Sequence, residues 1–361
     1  MIRTNNSSRP ITIFTPSFAD EGDTNAQNLT VKEIVARLSP ELFRVIMISE
    51  GRPDPRITAR ANTELVRWTK HGNTVRLLRR CLFSRPDIYF FPRHGPLDRA
   101  FFDWRKYLGK RTALVSYVVM MINDLTSTGL IGRSIVEADR ICTNSKYVAK
   151  TVREKFGLES TTVYDGVDRR FFFPRSESTE SRNPNLPAVL YAGSLQSRKR
   201  VELVIEEAAR RPKVQFRIAG RGETEENCRA LCRKHDCRNV SFLGHLSSRQ
   251  LGEEMRRADV FFFPSILEGH PQVLGQAAAC GLPAIAMNVY RPDYVLDGET
   301  GFLAESDADL TQKLDVLLRD SVRRQSMASA AARHSLKFDW DQIAEQWTEV
   351  FREVVAGRRN S

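Results

Sequence analysis

The chain has 361 residues, more than one ordinary hydrophobic core serves, and its length therefore predicts two domains. Hydrophobic residues make up 41% of it and charged residues 27%, as in soluble globular proteins. Its longest apolar run, 113–122, is about half of the ~20 residues that a membrane-spanning helix needs, and its first residues do not read as a signal peptide. We therefore expect a cytoplasmic protein, with peripheral contact to the inner face of the membrane as the one membrane association left open.

The positive charge is concentrated in the first half of the chain. Residues 1–180 hold 29 Lys and Arg against 20 Asp and Glu, whereas the remainder holds 26 against 24. This excess either marks an anionic partner on that side of the protein or serves solubility, and the sequence leaves both interpretations open.

Short apolar runs rich in β-branched residues alternate with amphipathic stretches in the first half. A helical stretch is predicted around 26–38. The predicted strands are 11–15, 43–49, 86–91, 112–120 and 139–145. This alternation is typical of a parallel, doubly wound sheet covered by helices.

The stretch 174–187 interrupts the alternation, because it is rich in Ser, Pro and Asn and has no apolar periodicity. It predicts a linker. After it, strands are predicted at 188–193, 214–220, 240–244, 259–264 and 282–287, and helices at 199–210, 223–235, 248–257 and 271–280. We therefore predict an α/β protein with a first Rossmann-like domain over 1–173 and a second, of nucleotide-binding type, over 188–335.

A helical segment over 336–361 closes the chain. Its apolar residues recur at helical spacing and require an apolar surface to cover: Trp340, Ile343, Trp347, Val350 and Phe351.

A carboxylate precedes a well-delimited helix in the second half. Pro271 suits the first position of the helix over 271–280, and Gly281 suits its left-handed end. The N-terminus of that helix offers N–H groups and partial positive charge just after Glu268, an arrangement that suits a phosphate beside a group bearing hydroxyls. Capping of the helix by Glu268 is the structural alternative.

Two further groups follow predicted strands. Gly193 and Ser194 leave the strand at 188–193 and precede the basic run Arg198–Arg200, whose charges suit a diphosphate leaving group. Gly220 and Gly222 end the strand at 214–220 and allow a nucleotide to approach the backbone.

Cysteine and histidine spacing offers a weaker signal. Cys228, Cys232, His235 and Cys237 lie close together, but a second pair of ligands at metal-binding spacing is missing. We predict no metal site and no cofactor.

Taken in order, several motifs carry a family resemblance. They are GSLQSRKRVELVIEEA, IAGRGETE, VSFLGHLSS, ADVFFFPSILEGHPQVLGQAAACGLPAIA and DYVLDGETGFLAE, preceded in the first half by ADRICTNSKYVAKTVREKFG and VYDGVDRRFFFP. As an ordered set they resemble a retaining glycosyltransferase of family four, glycosyl transferases group 1, with the GT-B fold.

The resemblance implies two Rossmann-like domains that face each other across a cleft, with the C-terminal helix crossing back onto the first. It implies a metal-independent hexosyltransferase of polysaccharide biosynthesis. Such an enzyme would move a sugar, with retention of anomeric configuration, from a nucleotide-sugar donor to a hydroxyl of a glycan or lipid-linked glycan.

Residue roles follow from the same resemblance. Glu268 would contact sugar hydroxyls, and Lys199 would neutralise phosphate. The base would lie near Gly220, Gly222, His245 and Leu246, and Gly22 would let the first domain approach the donor. The backbone that would hold the sugar and diphosphate is that of Gly269, His270, Pro271, Gln272, Val273 and Leu274.

Three positions depart from the pattern of the family. Gln276 replaces a second acid, although its amide oxygen still accepts hydrogen bonds from a ribose. Ser194 replaces a phosphate-binding arginine, for which Arg198 is the predicted substitute. Tyr117 stands near the place of a catalytic histidine, and His94, after the preceding strand, either serves instead or is an ordinary loop histidine.

The stretch 64–86 bears on the acceptor, because it holds six Lys and Arg, one acid and interleaved apolar residues. It is either a short amphipathic helix on an anionic bilayer or a core helix with a basic outer face. We expect no nucleic-acid partner, since the sequence shows no stacking platform or reader motif.

Two other functions remain open from the sequence. One is a GT-B-fold nucleotide-sugar epimerase, and the other is a catalytically silent partner subunit that binds a nucleotide-sugar. The sequence identifies neither the sugar, the base nor the acceptor.

Overall fold

The computed structural model describes residues 9–21, 25–68, 77, 79–80, 84–107, 111–119, 126, 128–175 and 186–359. The chain forms two compact units. The first unit comprises Met1–Tyr164 together with Trp340–Ser361, and the second unit comprises Asp165–Asp339. In the described part of the chain, no helix is both long and apolar enough to cross a membrane.

The first unit is built on a parallel sheet of seven strands in the order β3-β2-β1-β4-β5-β6-β7. The strands are β1 (Ile11–Phe18), β2 (Phe43–Ser49), β3 (Thr63–Arg67), β4 (Ile88–Phe90), β5 (Ala113–Val118), β6 (Arg140–Thr143) and β7 (Thr161–Thr162). The helices of its first segment are α1 (Ala26–Arg37), α2 (Pro55–Thr58), α3 (Pro96–Tyr107), α4 (Gly129–Val136) and α5 (Lys146–Phe156).

The ends of these helices follow from local side chains. Asn25 accepts a hydrogen bond from the backbone N–H of Asn28 at the start of α1, and Ser145 accepts one from Val148 at the start of α5. Gly157 ends α5 with a φ of 66°, a conformation that favours glycine.

The second unit is built on a parallel sheet of six strands in the order β10-β9-β8-β11-β12-β13. The strands are β8 (Ala188–Ala192), β9 (Gln215–Ala219), β10 (Val240–Gly244), β11 (Val260–Phe263), β12 (Ala284–Met287) and β13 (Gly301–Ala304). The helices are α6 (Val201–Arg210), α7 (Glu225–Lys234), α8 (Ser248–Arg257), α9 (Gln272–Ala279), α10 (Asp307–Arg319) and α11 (Ser321–His334). Both sheets confirm the predicted α/β class with two Rossmann-like, doubly wound units.

The last helix, α12 (Trp340–Arg359), belongs to the first unit, as predicted for a chain end that returns to it. All five residues of its predicted apolar stripe are buried in one core cluster with residues of the sheet. The Trp347 ring lies 4.8 Å from the Phe90 ring and 4.9 Å from the Tyr117 ring, centroid to centroid. The apolar surface that the stripe required is therefore the sheet of the first unit.

The second unit begins at Asp165, before the predicted domain boundary at 173. The backbone N–H of Val167 donates to the carbonyl of Phe338 (2.7 Å), and the Tyr294 hydroxyl donates to the carbonyl of Asp165 (3.0 Å). These bonds attach residues 165–167 to the second unit. Of the predicted linker 174–187, residues 176–185 lie outside the described residues.

The two helical interpretations of 64–86, a short amphipathic helix and a core helix with a basic outer face, do not hold at the start of the stretch. Residues 64–67 belong to β3 at the edge of the sheet, where only Val66 is buried, so the segment lacks the alternation that marks a strand. Trp68 packs edge-on against Phe18 at 6.0 Å, and Leu77 is buried in the core of the first unit. Residues 69–76, 78 and 81–83 of this stretch lie outside the described residues.

Candidate functional site

The order of strands in the second unit indicates at which edge of its sheet a ligand binds. The order reverses between β8 and β11, which are neighbours although distant in sequence. In open α/β sheets, ligands bind beyond the carboxyl ends of the strands at such a switch point. The segments that leave there are 193–199 after β8 and 264–271 after β11, and both contain predicted site residues.

Glu268 is the centre of a compact charged cluster at this edge. Its Oε1 accepts hydrogen bonds from Lys199 Nζ (2.5 Å) and Arg198 Nη1 (3.0 Å) and from the hydroxyl of Ser265. Arg198 Nη1 also donates to the carbonyl of Leu267 (2.8 Å). The structure therefore brings together the predicted Glu268, Lys199 and Arg198, although these come from two separate loops.

The two carboxylate oxygens of Glu268 differ. Within the described residues, no hydrogen bond or ion pair reaches Oε2, whereas Oε1 has three donors. Glu268 is 8% exposed and does not cap α9, which has no side-chain cap. An oriented carboxylate with one unoccupied oxygen suits a ligand that donates hydrogen bonds, such as a hydroxyl.

Lys199 is a buried cation beside this carboxylate, 8% exposed. Burial lowers the pKa of its ammonium group, and the charge of Glu268 acts in the opposite direction. Its Nζ also lies 5.0 Å from the centre of the Phe263 ring at the end of β11. Lys199 is thus held in one position at the switch point.

The predicted basic run does not act as one group. Arg198 and Lys199 contact Glu268, but Arg200 has a left-handed backbone (φ 56°) and forms an ion pair with Asp307. The prediction that Arg200 shares the diphosphate-binding charge is therefore not supported, because its guanidinium is engaged at the start of α10.

The N-terminus of α9 follows Glu268 directly. Pro271 occupies the N-cap position (φ −71°, ψ 99°) and not the first helical position, which corrects the prediction by one residue. The N–H of Leu274 donates to the carbonyl of Pro271 (3.0 Å), and the first turn carries the positive dipole end of the helix. Gly281 has a φ of 66° just after the helix, as predicted.

Two glycine loops pack closely beside this cluster. A Cβ on Gly220 would lie 1.8 Å from the carbonyl oxygen of Gly193, and a Cβ on Gly222 would lie 2.2 Å from that of Leu195. The loops are joined by hydrogen bonds from Gly193 N to Ala219 O (3.0 Å) and from Leu195 N to Arg221 O (2.9 Å). The glycines are required by the mutual approach of two backbones.

The other predicted positions of the second unit lie around these loops. Ser194 and His245 are exposed, and Leu246, Gln272, Val273 and Gln276 are half-buried. His270 is buried, and its ring stacks on Tyr294 at 4.0 Å with Nδ1 3.9 Å from Asp165 Oδ2. Its side chain therefore packs within the unit, and only its backbone remains for the predicted cradle.

In the first unit, His94 has a backbone with positive φ (62°) and a half-buried ring. Its Nε2 lies 2.9 Å from the hydroxyl of Ser134, which itself donates to the carbonyl of Ile131 (2.7 Å). Because that hydroxyl proton is engaged, Nε2 carries the proton of a neutral imidazole and Nδ1 is the acceptor. Burial lowers the pKa of His94, so the neutral form is favoured.

Tyr117 does not present its hydroxyl to a ligand. It lies in β5, is 3% exposed, and donates its hydroxyl to the carbonyl of Val163 (2.8 Å). Its ring packs against Phe91 and Trp347. Tyr117 and His94 are the two candidates for the place of the family histidine, and Tyr117 is a core residue. Gly22 lies outside the described residues.

Sequence reasoning missed two polar residues at this edge. Ser265 donates to Glu268 Oε1, and its position three residues earlier in the same loop is the signal that predicts such a contact. Tyr290 follows β12, is 2% exposed, and interacts electrostatically with Glu268. No sequence motif indicated Tyr290. The described residues contain no cluster of three or more His, Cys, Asp or Glu side chains arranged as metal ligands.

Comparisons with known proteins bear on this site. Residues 174–334 match the family model "Glycosyl transferases group 1". An uncharacterized glycosyltransferase of Methanocaldococcus jannaschii is 23% identical over 66% of the chain, and the D-inositol 3-phosphate glycosyltransferase of Mycobacterium bovis is 30% identical over 61%. These matches span 66% and 49%, respectively, of the relatives' own lengths.

A solved structure of Anabaena HepE in complex with UDP-glucose matches 95% of the chain and 99% of its own, with a TM-score of 0.74 and 16% sequence identity. This likeness concerns the fold, in which both Rossmann-like units are represented. Residues 174–334 therefore match the glycosyl transferases group 1 family, and the fold of the chain is GT-B.

Proposed function

We propose that this protein is a glycosyltransferase that moves a sugar from a nucleotide-sugar donor to a hydroxyl acceptor, with retention of anomeric configuration and without a metal ion. Support comes from the family of residues 174–334 and from two relatives named as glycosyltransferases. The bound UDP-glucose in the Anabaena structure supports a donor of the same class here.

One observation carries the proposal: a buried carboxylate and two cations meet at the switch point of the second sheet, directly before the N-terminus of α9. In this role, Glu268 Oε2 accepts a hydrogen bond from a sugar hydroxyl. Lys199, Arg198 and the first N–H groups of α9 stabilise the negative charge of the diphosphate. The loops at Gly220–Gly222 and His245–Leu246 border the nucleotide base, and Gln276 accepts from the ribose.

The reaction needs little acid–base chemistry from the protein. The bond from the anomeric carbon to the diphosphate oxygen breaks, and the acceptor oxygen bonds to that carbon on the same face. The acceptor's proton passes to the leaving diphosphate oxygen. The protein then contributes positioning and charge stabilisation, which are sufficient sources of rate. His94 Nδ1 is assigned to accept a hydrogen bond from a second, non-reacting hydroxyl of the acceptor and so to orient the acceptor.

The acceptor is assigned to the glycan class, free or linked to a lipid, at the inner face of the membrane in the cytoplasm. The excess of Lys and Arg in residues 1–180 supports an anionic partner on that side. Membrane contact through 64–86 is supported only by the positive charge of that stretch. Its apolar residues Trp68 and Leu77 give no support, because they pack inside the first unit.

Nucleotide release from UDP-glucose, GDP-mannose and ADP-glucose, measured with and without oligosaccharide acceptors, tests the proposal. We expect acceptor-dependent release that persists in EDTA, and a product whose anomeric configuration by NMR equals that of the donor. An inverted product would contradict retention, and loss of turnover in EDTA would contradict metal independence.

The same assay separates the proposal from its two alternatives, an epimerase and a silent partner subunit. Both stay open because Gln276 and Ser194 depart from the pattern of the family. An epimerase would convert the sugar without any acceptor. A silent partner subunit would bind a nucleotide-sugar, and be stabilised by it against heat, without turnover.

A further inference from the structure

Two tyrosine hydroxyls interact electrostatically with Glu268, and they differ in their partners. Tyr191 Oη donates to the carbonyl of Ser194 (3.0 Å). Tyr290 Oη is buried and has no hydrogen-bond partner within the described residues. A buried hydroxyl without a partner bears a desolvation cost that a protein seldom tolerates without a use for the group.

The backbone of Tyr290 leaves the sheet beside the segment that carries Glu268. It ends the short 3₁₀ turn Asn288–Tyr290, which leaves the carboxyl end of β12. β12 pairs with β11, with Phe263 beside Ala286, so the segments carrying Tyr290 and Glu268 leave neighbouring strands at the same edge. The turn is fixed by a hydrogen bond from Asn288 Nδ2 to Glu305 Oε1 (2.5 Å).

Two unengaged polar atoms therefore occur at this edge. Glu268 Oε2 is an acceptor that no described residue contacts, and Tyr290 Oη both donates and accepts. Burial, and then the charge of Glu268, raise the pKa of Tyr290, so its hydroxyl stays protonated. A sugar hydroxyl is the matching ligand because it donates one hydrogen bond and accepts others.

We propose that Tyr290 is a specificity-determining residue of the donor site, whose hydroxyl binds the donor sugar together with Glu268 Oε2. The pair selects a sugar that bears a hydroxyl there over its deoxy analogue, since an absent hydroxyl leaves the buried Tyr290 hydroxyl without a partner. This inference rests on the proposed function and adds to the donor site a residue that contacts the sugar and not the nucleotide.

The test compares Tyr290→Phe with Tyr89→Phe, which removes another buried tyrosine hydroxyl, in the core of the first unit. The affinities for UDP-glucose, GDP-mannose and ADP-glucose, and for the free diphosphates UDP, GDP and ADP, are measured by calorimetry. We expect Tyr290→Phe to weaken binding of the preferred nucleotide-sugar about tenfold and to leave its free diphosphate unchanged.

Thermal stability provides the second readout. Tyr290→Phe should melt at the wild-type temperature or above, because it removes an unpartnered buried hydroxyl. Tyr89→Phe should melt lower, because it loses the hydrogen bond to Asp98, and should keep wild-type affinity for both ligands.

The results separate this inference from the proposed function. Equal nucleotide-sugar affinity in Tyr290→Phe and wild type would overturn the inference alone, and so would an equal loss for the nucleotide-sugar and the free diphosphate. A wild-type chain that binds none of the three nucleotide-sugars would overturn both.

Discussion

The Glu268–Lys199 pair shows at the residue scale how burial serves a site at a cost in stability. Removing two charges from water is expensive, and a buried ion pair often contributes little to net stability. Here the carboxylate has three donors on one oxygen and none from the described residues on the other. The pair is thus better suited to hold a polar ligand than to stabilise the fold.

The pKa of Lys199 leads to a pH prediction. Burial lowers it, so the ammonium that stabilises the diphosphate is lost at a pH below the ordinary lysine value of about 10.4. We expect kcat/KM to fall as pH rises through this lowered pKa. Lys199→Arg should move the fall to higher pH, because a guanidinium keeps its charge.

Unfolding does not produce the same profile. A lysine whose pKa is lowered by folding binds fewer protons in the folded than in the unfolded state between its two pKa values, so its contribution to the free energy of unfolding rises with pH there. Lys213→Arg, at an exposed position of the second unit, is the control and should leave the profile unchanged. An unchanged profile in Lys199→Arg would contradict the role of Lys199.

His94→Asn tests the assignment of the acceptor. Asparagine tolerates the positive φ of this position, so we expect an unchanged melting temperature. It loses the Nε2 bond to Ser134 that orients the ring, so its amide oxygen is not held in the place of Nδ1, and we expect kcat/KM for the acceptor to fall about tenfold while KM for the donor stays the same. Equal kinetics in His94→Asn and the exposed-site control His235→Asn would make His94 an ordinary loop histidine.

At the residue scale, sequence reasoning predicted that Glu268, Lys199 and Arg198 belong to one donor site but not that they contact one another. Glycine, acid and cation types at strand ends point to Glu268, Lys199 and Arg198 because elementary chemistry requires them near a diphosphate. Arg200 forms an ion pair with Asp307 and not with Glu268 because its backbone is left-handed, and no local sequence pattern predicts that conformation. The placement of Tyr290 beside Glu268 likewise depends on strand order.

At the element scale, helix α9 is the part of the second unit on which the proposed donor site most depends, and its packing explains why it contains Gly275. Its residue Gly275 lies against the ring of Tyr294. A Cβ on Gly275 would come within 2.5 Å of the Tyr294 ring. Tyr294 in turn stacks on His270 just before the helix, so the helix and the residues that precede it are positioned together.

Gly275→Ala should therefore destabilise the protein by about 1–3 kcal/mol, because the ring or the helix must shift. The matched control is Gly357→Ala in α12, where an added Cβ meets nothing within 4 Å and should stabilise by about 0.5–1 kcal/mol. Denaturant melts measure both. A stabilising Gly275→Ala would contradict the described packing of Tyr294.

Strands with both faces buried, such as β8, β11 and β12, were predictable as continuous apolar runs. β3, at a sheet edge with one buried residue, was not. Element ends shift by a residue where a turn such as that at Pro271 competes with helix geometry.

At the scale of the whole molecule, the chain completes its first unit with its last helix. Trp347 and Phe351 of α12 lie in the same aromatic cluster as Phe90 and Phe43, so the first unit lacks part of its core until the end of the chain is present. The second unit is continuous in sequence, from Asp165 to Asp339. The bonds of residues 165–167 to the second unit reveal that boundary, which the composition of 174–187 placed later.

A fragment of residues 165–339 should consequently fold alone, because it contains a continuous core and sheet. We expect a cooperative thermal transition by circular dichroism and binding of the free nucleoside diphosphate that the whole chain prefers. A chain cut after Asp339 should melt well below the intact protein, since its first unit exposes the surface that α12 covers. An unfolded 165–339 fragment would contradict the independence of the second unit.

The most direct measurement of the central claim is the turnover of the preferred nucleotide-sugar by Glu268→Gln, with the exposed-site variant Glu299→Gln as control. Glutamine keeps an oxygen for Lys199 but loses the charge and one acceptor oxygen. The account predicts that kcat falls by a factor of about 10²–10³ in Glu268→Gln, measured under conditions where the variant is folded. It predicts wild-type turnover for Glu299→Gln. Equal turnover in wild type and Glu268→Gln would contradict it.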